Sequence, residues 1–166
     1  PLLTLACRDT PYDVIVSSPD QAALSDEAAC YTVEFYRRAA GRLAAGGIFC
    51  QRFRCIDFGP EPLRIAARTM RAAFEHVAVV EAAPGELLLL GTNGAEGLIR
   101  DGLVERCEAP QVRHALSQLG WDWVVPLNLS AFGGEQLAEF ISEGRMSVNT
   151  AANGRFASTL PQEVMR

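Results

Sequence analysis

The chain has 166 residues, 49% of them hydrophobic, and carries a net charge of -5. That length and apolar content suffice for one buried core with a small appended piece, and the acidic balance excludes the basic face a nucleic-acid partner demands. All 15 of the Lys-plus-Arg residues are arginine, which excludes lysine Schiff-base chemistry and a Walker-type phosphate lysine.

No apolar run approaches the roughly 20 residues needed to span a bilayer, and no charged-then-apolar leader opens the chain. Cys7, Cys30, Cys50, Cys55 and Cys107 are scattered, with no C-x-x-C pair, so neither a zinc site nor a redox dithiol is indicated. Free core thiols in a reducing compartment, and hence a cytoplasmic location, are expected. Pro1, not Met, begins the sequence, which points to a piece processed or excised from something longer.

Leu2-Leu3-Thr4-Leu5-Ala6-Cys7 is too short for periodicity to separate a strand from a helix end. Val14-Ile15-Val16 is apolar and β-branched on successive positions, the pattern of a strand covered on both faces, and Pro19 stops it. A helix follows over about 32–43, burying Val33, Tyr36, Ala40 and Leu43 at spacings of three and four. Thr32 and Glu34 suit its first turn, and Gly46-Gly47 leads into a second strand at 48–52. Strand, helix, glycine turn and strand make one βαβ unit with a parallel pair.

Pro60 and Pro62 sit where the first turn of a helix tolerates proline, so a helix is expected over 61–74 with Leu63, Ala66, Ala67, Met70 and Phe74 buried. Strands at 77–82 and 86–91, joined through Ala83-Pro84-Gly85, form an antiparallel hairpin. After Thr92-Asn93-Gly94 the composition shifts to short helical patterns at 98–107, 110–119 and 134–141, and the last twenty residues look irregular. The expected division is an α/β domain over 1–94 and a helical extension with an irregular tail over 95–166.

The series Tyr12-Asp13-Val14-Ile15, Phe35-Tyr36, Gly46-Gly47, Gln51, Pro60-Glu61, Phe74 with His76-Val77, and Leu87-Leu88-Leu89-Leu90-Gly91 is what a family resemblance rests on. It resembles, ungapped from residue 12 to about 92, the C-terminal half of the spermidine synthase-like branch of the S-adenosylmethionine-dependent methyltransferase fold. Asn149-Thr150 stand where family members fused to membrane-transporter-like regions carry an Asn-Thr-Asp-Asp motif. The resemblance implies a Rossmann-type half sheet: two parallel strands extended by an antiparallel hairpin, with a small helical extension.

In that fold a glycine-rich turn after the first strand and an acidic residue ending the second hold the cofactor. Both would lie before Pro1. No cofactor is therefore expected on this chain, and S-adenosylmethionine or its decarboxylated form would belong to an active full-length parent. Aminopropyl transfer also needs a carboxylate near the end of the fourth strand to hold and deprotonate the attacking amine. The matching position is Ser18, whose hydroxyl is no base at neutral pH without an activator. Asp20 is a poor substitute, because an offset of two residues moves a carboxylate by roughly 6 Å. The motif's two acids become Ala151-Ala152, and Ala22-Ala23 replace the Pro and Trp of the family's gate segment.

Gln51, at the end of the second strand, is the candidate former substrate contact, with a loop hydrogen bond as its plainer role. His76 and His114 are isolated and read as structural or exposed. Trp121 and Trp123 read as packing anchors for the C-terminal helices, and Arg37, Arg38 and Arg42 as a solvated face. Gly91-Thr92-Asn93-Gly94 is not followed by an ordered helix start, so no phosphate loop is assigned, and no spacing suggests a metal.

The expected function is a truncated spermidine synthase-like domain, inactive by itself. The alternatives are an aminopropyl- or methyltransferase whose cofactor half lies upstream or in a partner, and a non-catalytic interaction module. Without its family neighbour the strand at 14–17 becomes an apolar edge that Leu2–Cys7 or a second copy would cover, so a homodimer is expected in isolation, through either that edge or a helix face. The upstream part of the parent chain is the other expected partner, and this segment itself is expected to make no membrane contact.

Overall fold

The computed structural model describes residues 10–19, 25–55, 59–98, 101–144 and 147–164, with backbone only for 25–26 and 161–164. The first strand, β1 (Tyr12–Ser17), pairs in parallel with β2 (Leu43–Arg54), as the βαβ pattern requires. Between them lie a short helix α1 (Ser25–Ala28), a 3-10 turn (Ala29–Tyr31) and helix α2 (Val33–Ala40). Thr32 caps α2, its hydroxyl accepting from the Phe35 amide at 3.3 Å, while Glu34 in the first turn and Arg37 and Arg38 in the last complement the helix dipole.

Strand β2 begins five residues earlier than the expected 48. The chain from Leu43 to Ile48 bulges against two residues of β1, since Tyr12 pairs with Leu43 and Val14 with Ile48. Gly46 makes this possible with a φ of 73°, so the glycine pair forms a bulge inside the strand, not a turn before it.

Helix α3 (Pro60–Arg71) starts at its proline, and its buried stripe includes Ile65, Ala66, Ala67, Thr69 and Met70. The hairpin of β3 (His76–Ala83) and β4 (Glu86–Thr92) turns at Pro84-Gly85, where Gly85 has a φ of 76°. Strand β4 pairs antiparallel with β2, and a short β5 (Ala131–Gly133) pairs antiparallel with β3. The strand order is β1-β2-β4-β3-β5. A mixed α/β sheet with one parallel pair and antiparallel strands is the fold class read from the sequence.

Alternation along the strands creates two unlike faces. Ile15, Phe49, Phe53, Leu87, Leu89, Val77 and Val79 form one buried core with α2 and α3. Val14, Val16, Ile48, Cys50, Ala78, Val80, Leu88 and Leu90 point the other way, from half-buried to 58% exposed at Val14 and 67% at Val16. The continuous apolar run of β1 therefore does not mean two covered faces among the described residues.

Of the later helices, α4 (Leu103–Glu108) starts five residues after the expected 98 because Gly102, at φ 72°, lies in the left-handed region and cannot continue a helix backwards. Helices α4 and α5 (Pro110–Gln118) bury no residue. Helix α6 (Gly134–Ser142) returns to the core through Leu137. The tail is not irregular throughout: α7 (Arg155–Val164) inserts Phe156 and Leu160 into the same core. Among the described residues no helix is long and apolar enough to cross a membrane.

Candidate functional site at the ends of the parallel strands

Open sheets collect ligands beyond the carboxyl ends of their parallel strands. Here that end is built from Ser17, the last residue of β1, Ser18 after it, Gln51 on β2 and the 3-10 turn carrying Cys30 and Tyr31. The ladder sets Gln51 beside Ser17, so two of the residues singled out in the sequence, Gln51 and Ser18, come to the same end of the sheet. Ser18 is exposed. Asp20 lies outside the described residues. Gln51 does not end its strand as expected, because β2 continues to Arg54.

Gln51 is fully buried on the core face. Its Nε2 donates to the Cys30 carbonyl at 3.4 Å, and its Oε1 has no partner among the described residues. The Tyr31 hydroxyl donates to the Arg52 carbonyl at 3.4 Å, and its ring stacks on Phe156 at 4.1 Å and 15°.

Burial pushes the Tyr31 hydroxyl far above the ordinary phenol range, against an opposing hydrogen bond from the Gln51 amide. Burial likewise raises the Cys30 thiol, which a hydrogen bond with Ser17 offsets in part, and the Glu27 charge raises both groups further. At neutral pH these groups are therefore protonated, a neutral hydrogen-bonding set and not a thiolate or phenolate.

Asn149 ties this end together and is 1% exposed. Its Nδ2 donates to the Tyr31 carbonyl at 2.8 Å and its backbone amide to Thr69 Oγ1 at 3.0 Å. Its Oδ1 accepts from the Phe156 amide at 3.0 Å, and its carbonyl accepts from the Val33 amide at 2.9 Å. The Ala151 amide reaches Glu34 at 3.1 Å. Tyr31, Cys30 and Thr69 were not singled out in the sequence. The available signal was Tyr31 immediately before the Thr32 cap, the position where an apolar side chain clamps the entry to a helix.

The other candidates disperse. His76 opens β3 on the outer face beside Gly97, and His114 lies on α5. Trp121, 40% exposed, and Trp123 lie outside the buried core cluster. They face Arg113, His114 and Ser117 of α5 across an open cleft of about 290 Å³. Cys30, Cys50, Cys55 and Cys107 are free. No group of three or more His, Cys, Asp or Glu among the described residues is placed to hold a metal.

No family model matches the chain. No curated protein matches it either. Among solved structures, a probable spermidine synthase from Corynebacterium glutamicum ATCC 13032 is similar, with a TM-score of 0.54 and 18% sequence identity over 92% of this chain and 53% of that one. The likeness establishes a spermidine synthase-like fold, and the chain spans about half the length of that neighbour.

Proposed function

We propose that this chain is a spermidine synthase-like domain without transferase activity of its own. The observation that supports this reading is the chemistry at the end of the parallel pair. Aminopropyl transfer asks for a carboxylate there, to take a proton from the attacking amine. The matching position is the exposed Ser18, next to a buried neutral set of Gln51, Tyr31 and Cys30. A serine without an activating base cannot replace the missing carboxylate. On this reading the cofactor-binding half belongs upstream in a parent chain, this segment is a truncated piece, and it works in the cytoplasm, where thiols such as Cys30 and Cys50 stay reduced.

Isothermal titration of the 166-residue chain with S-adenosylmethionine, and separately with its decarboxylated form, tests the proposal. No saturable heat is expected with either. Micromolar affinity for one of them overturns it.

The partnerless Gln51 Oε1 favours a second reading, in which a cofactor half supplied elsewhere completes an aminopropyl- or methyltransferase. A buried acceptor without a donor costs stability unless something fills it, and a substrate N–H would do so. Turnover by the parent chain that is lost in Gln51→Leu separates the two readings.

A further inference from the structure

We propose that the cleft between α5 and the loop after it binds a small zwitterion, a methylated ammonium joined to a carboxylate. The cleft comes from one continuous stretch, residues 113–123, and shares no residue with the end of the parallel pair. Its geometry is set locally. Gly120, with a φ of 73°, follows the last residue of α5 in the left-handed region. The Gly120 amide donates to the Ser117 carbonyl and the Trp121 amide to the Leu116 carbonyl, each at 3.0 Å. These two bonds fold the chain back along its own helix. Asp122 then accepts from the Val124 amide at 3.1 Å through Oδ1, and from the Val125 amide at 3.0 Å through its carbonyl. Trp121, Asp122 and Trp123 become one wall, facing Arg113, His114 and Ser117 on the helix.

The two walls carry opposite charges that do not neutralise each other. Among the described residues neither Arg113 nor Asp122 forms an ion pair. A simple anion drawn to Arg113 would meet the Asp122 charge, and a simple cation drawn to Asp122 would meet Arg113. A ligand bearing both signs satisfies both walls. Its carboxylate belongs on Arg113, whose planar guanidinium holds such a group through two N–H donors. Its ammonium belongs with Asp122 and the two indoles, whose faces attract a cation.

Trp121 is 40% exposed and Asp122 is exposed too, so the cleft does not strip the water from a primary ammonium. A methylated ammonium is weakly hydrated and turns apolar methyl groups to the rings, the form that aromatic sites recognise. The volume, about 290 Å³, lies at the small end of ligand sites and suits a compact molecule.

Trp121 and Trp123 are the only tryptophans in the chain, so intrinsic fluorescence reports on this cleft alone. The probe is glycine betaine, titrated against the 166-residue chain. A saturable change with a millimolar midpoint is expected, as exposed charge contacts allow. Two analogues dissect it. Choline keeps the quaternary ammonium and has a hydroxyl in place of the carboxylate. In tert-butylacetate a carbon replaces the charged nitrogen and the shape is kept. Each should bind about fivefold more weakly, the worth of one exposed charge contact.

Arg113→Gln should erase the preference over choline. Asp122→Asn, which keeps an oxygen for the Val124 amide, should narrow the preference over tert-butylacetate. Both variants should keep the far-UV circular dichroism of the parent. No saturable change with glycine betaine overturns the site. Choline or tert-butylacetate binding as tightly as glycine betaine overturns the two-charge assignment, and so do preferences that neither variant alters.

Discussion

Gly91 is where β4 passes beneath an aromatic stack. Phe49 and Phe74 lie parallel, 5.5 Å apart and 13° from coplanar, both essentially buried. A Cβ at residue 91 would sit 2.8 Å from Cγ of the Phe74 ring, so no side chain fits without moving the stack. Gly91→Ala should therefore cost about 1–3 kcal/mol through overpacking. A thermal melt should show it, at roughly 2–4 °C per kcal/mol for a chain of this size. Adding Phe74→Leu should recover part of the loss, and a melt unchanged by Gly91→Ala would mean that the ring does not lie where described. The sequence marked Gly91 and Phe74 as landmarks. It could not say that one exists to make room for the other, because they meet only when β4 crosses under the chain leaving α3.

At the scale of elements, the hairpin, α2 and α3 were legible from local signals: a Pro-Gly turn, a threonine cap and prolines in a first turn. The extension of β2 was not, since Leu43 to Gly47 acquires its strand character from the β1 ladder and not from its own glycine-rich sequence. Strand β5 was missed for the same reason, being three residues that exist as a strand because β3 offers them an edge. Where β2 and β4 meet at their far end, Glu86 is clamped by Arg52 at 2.7 Å and by Arg54 at 3.0 Å. The hydrogen bond from Arg52 holds the Glu86 carboxyl below the usual glutamate range; desolvation opposes it, and the charges of Arg52 and Arg54 with the Arg54 hydrogen bond reinforce it. A carboxyl with a depressed folded pKa stabilises the fold above its unfolded pKa, near ~4.3, and that contribution disappears as pH falls through the lower folded value. Carbon-detected NMR titration should find Glu86 titrating below the other glutamates, and Glu86→Gln should flatten the acid limb of the stability curve. A Glu86 that titrates with the rest would remove the clamp from the account.

For the whole molecule, the decisive contacts run between parts far apart in sequence. Asn149 joins the turn at Tyr31, the start of α2, the α3 residue Thr69 and the first turn of α7. Arg68 of α3 likewise donates to the carbonyls of Ile141 and Glu143 at the end of α6, satisfying groups a helix terminus leaves open. Asn149→Ala would strand the Tyr31 carbonyl and the Phe156 amide in the core, a loss of about 2 kcal/mol. The melting temperature should fall by roughly 4–8 °C, and hydrogen exchange should quicken first in α7, which depends on that contact. Uniform quickening across the sheet would instead mean that Asn149 supports the core as a whole.

The amino-acid sequence alone determined the βαβ order, the parallel pair and the hairpin, because each is written in side-chain periodicity or in glycine and proline placement. Tertiary structure decided which face of the sheet is covered, that Gln51 is buried with an acceptor to spare, and that the apparently irregular tail returns as α7 around Asn149. Those outcomes depend on burial shared between segments more than a hundred residues apart, such as Tyr31 and Asn149 with 118 between their positions, and no local pattern encodes them.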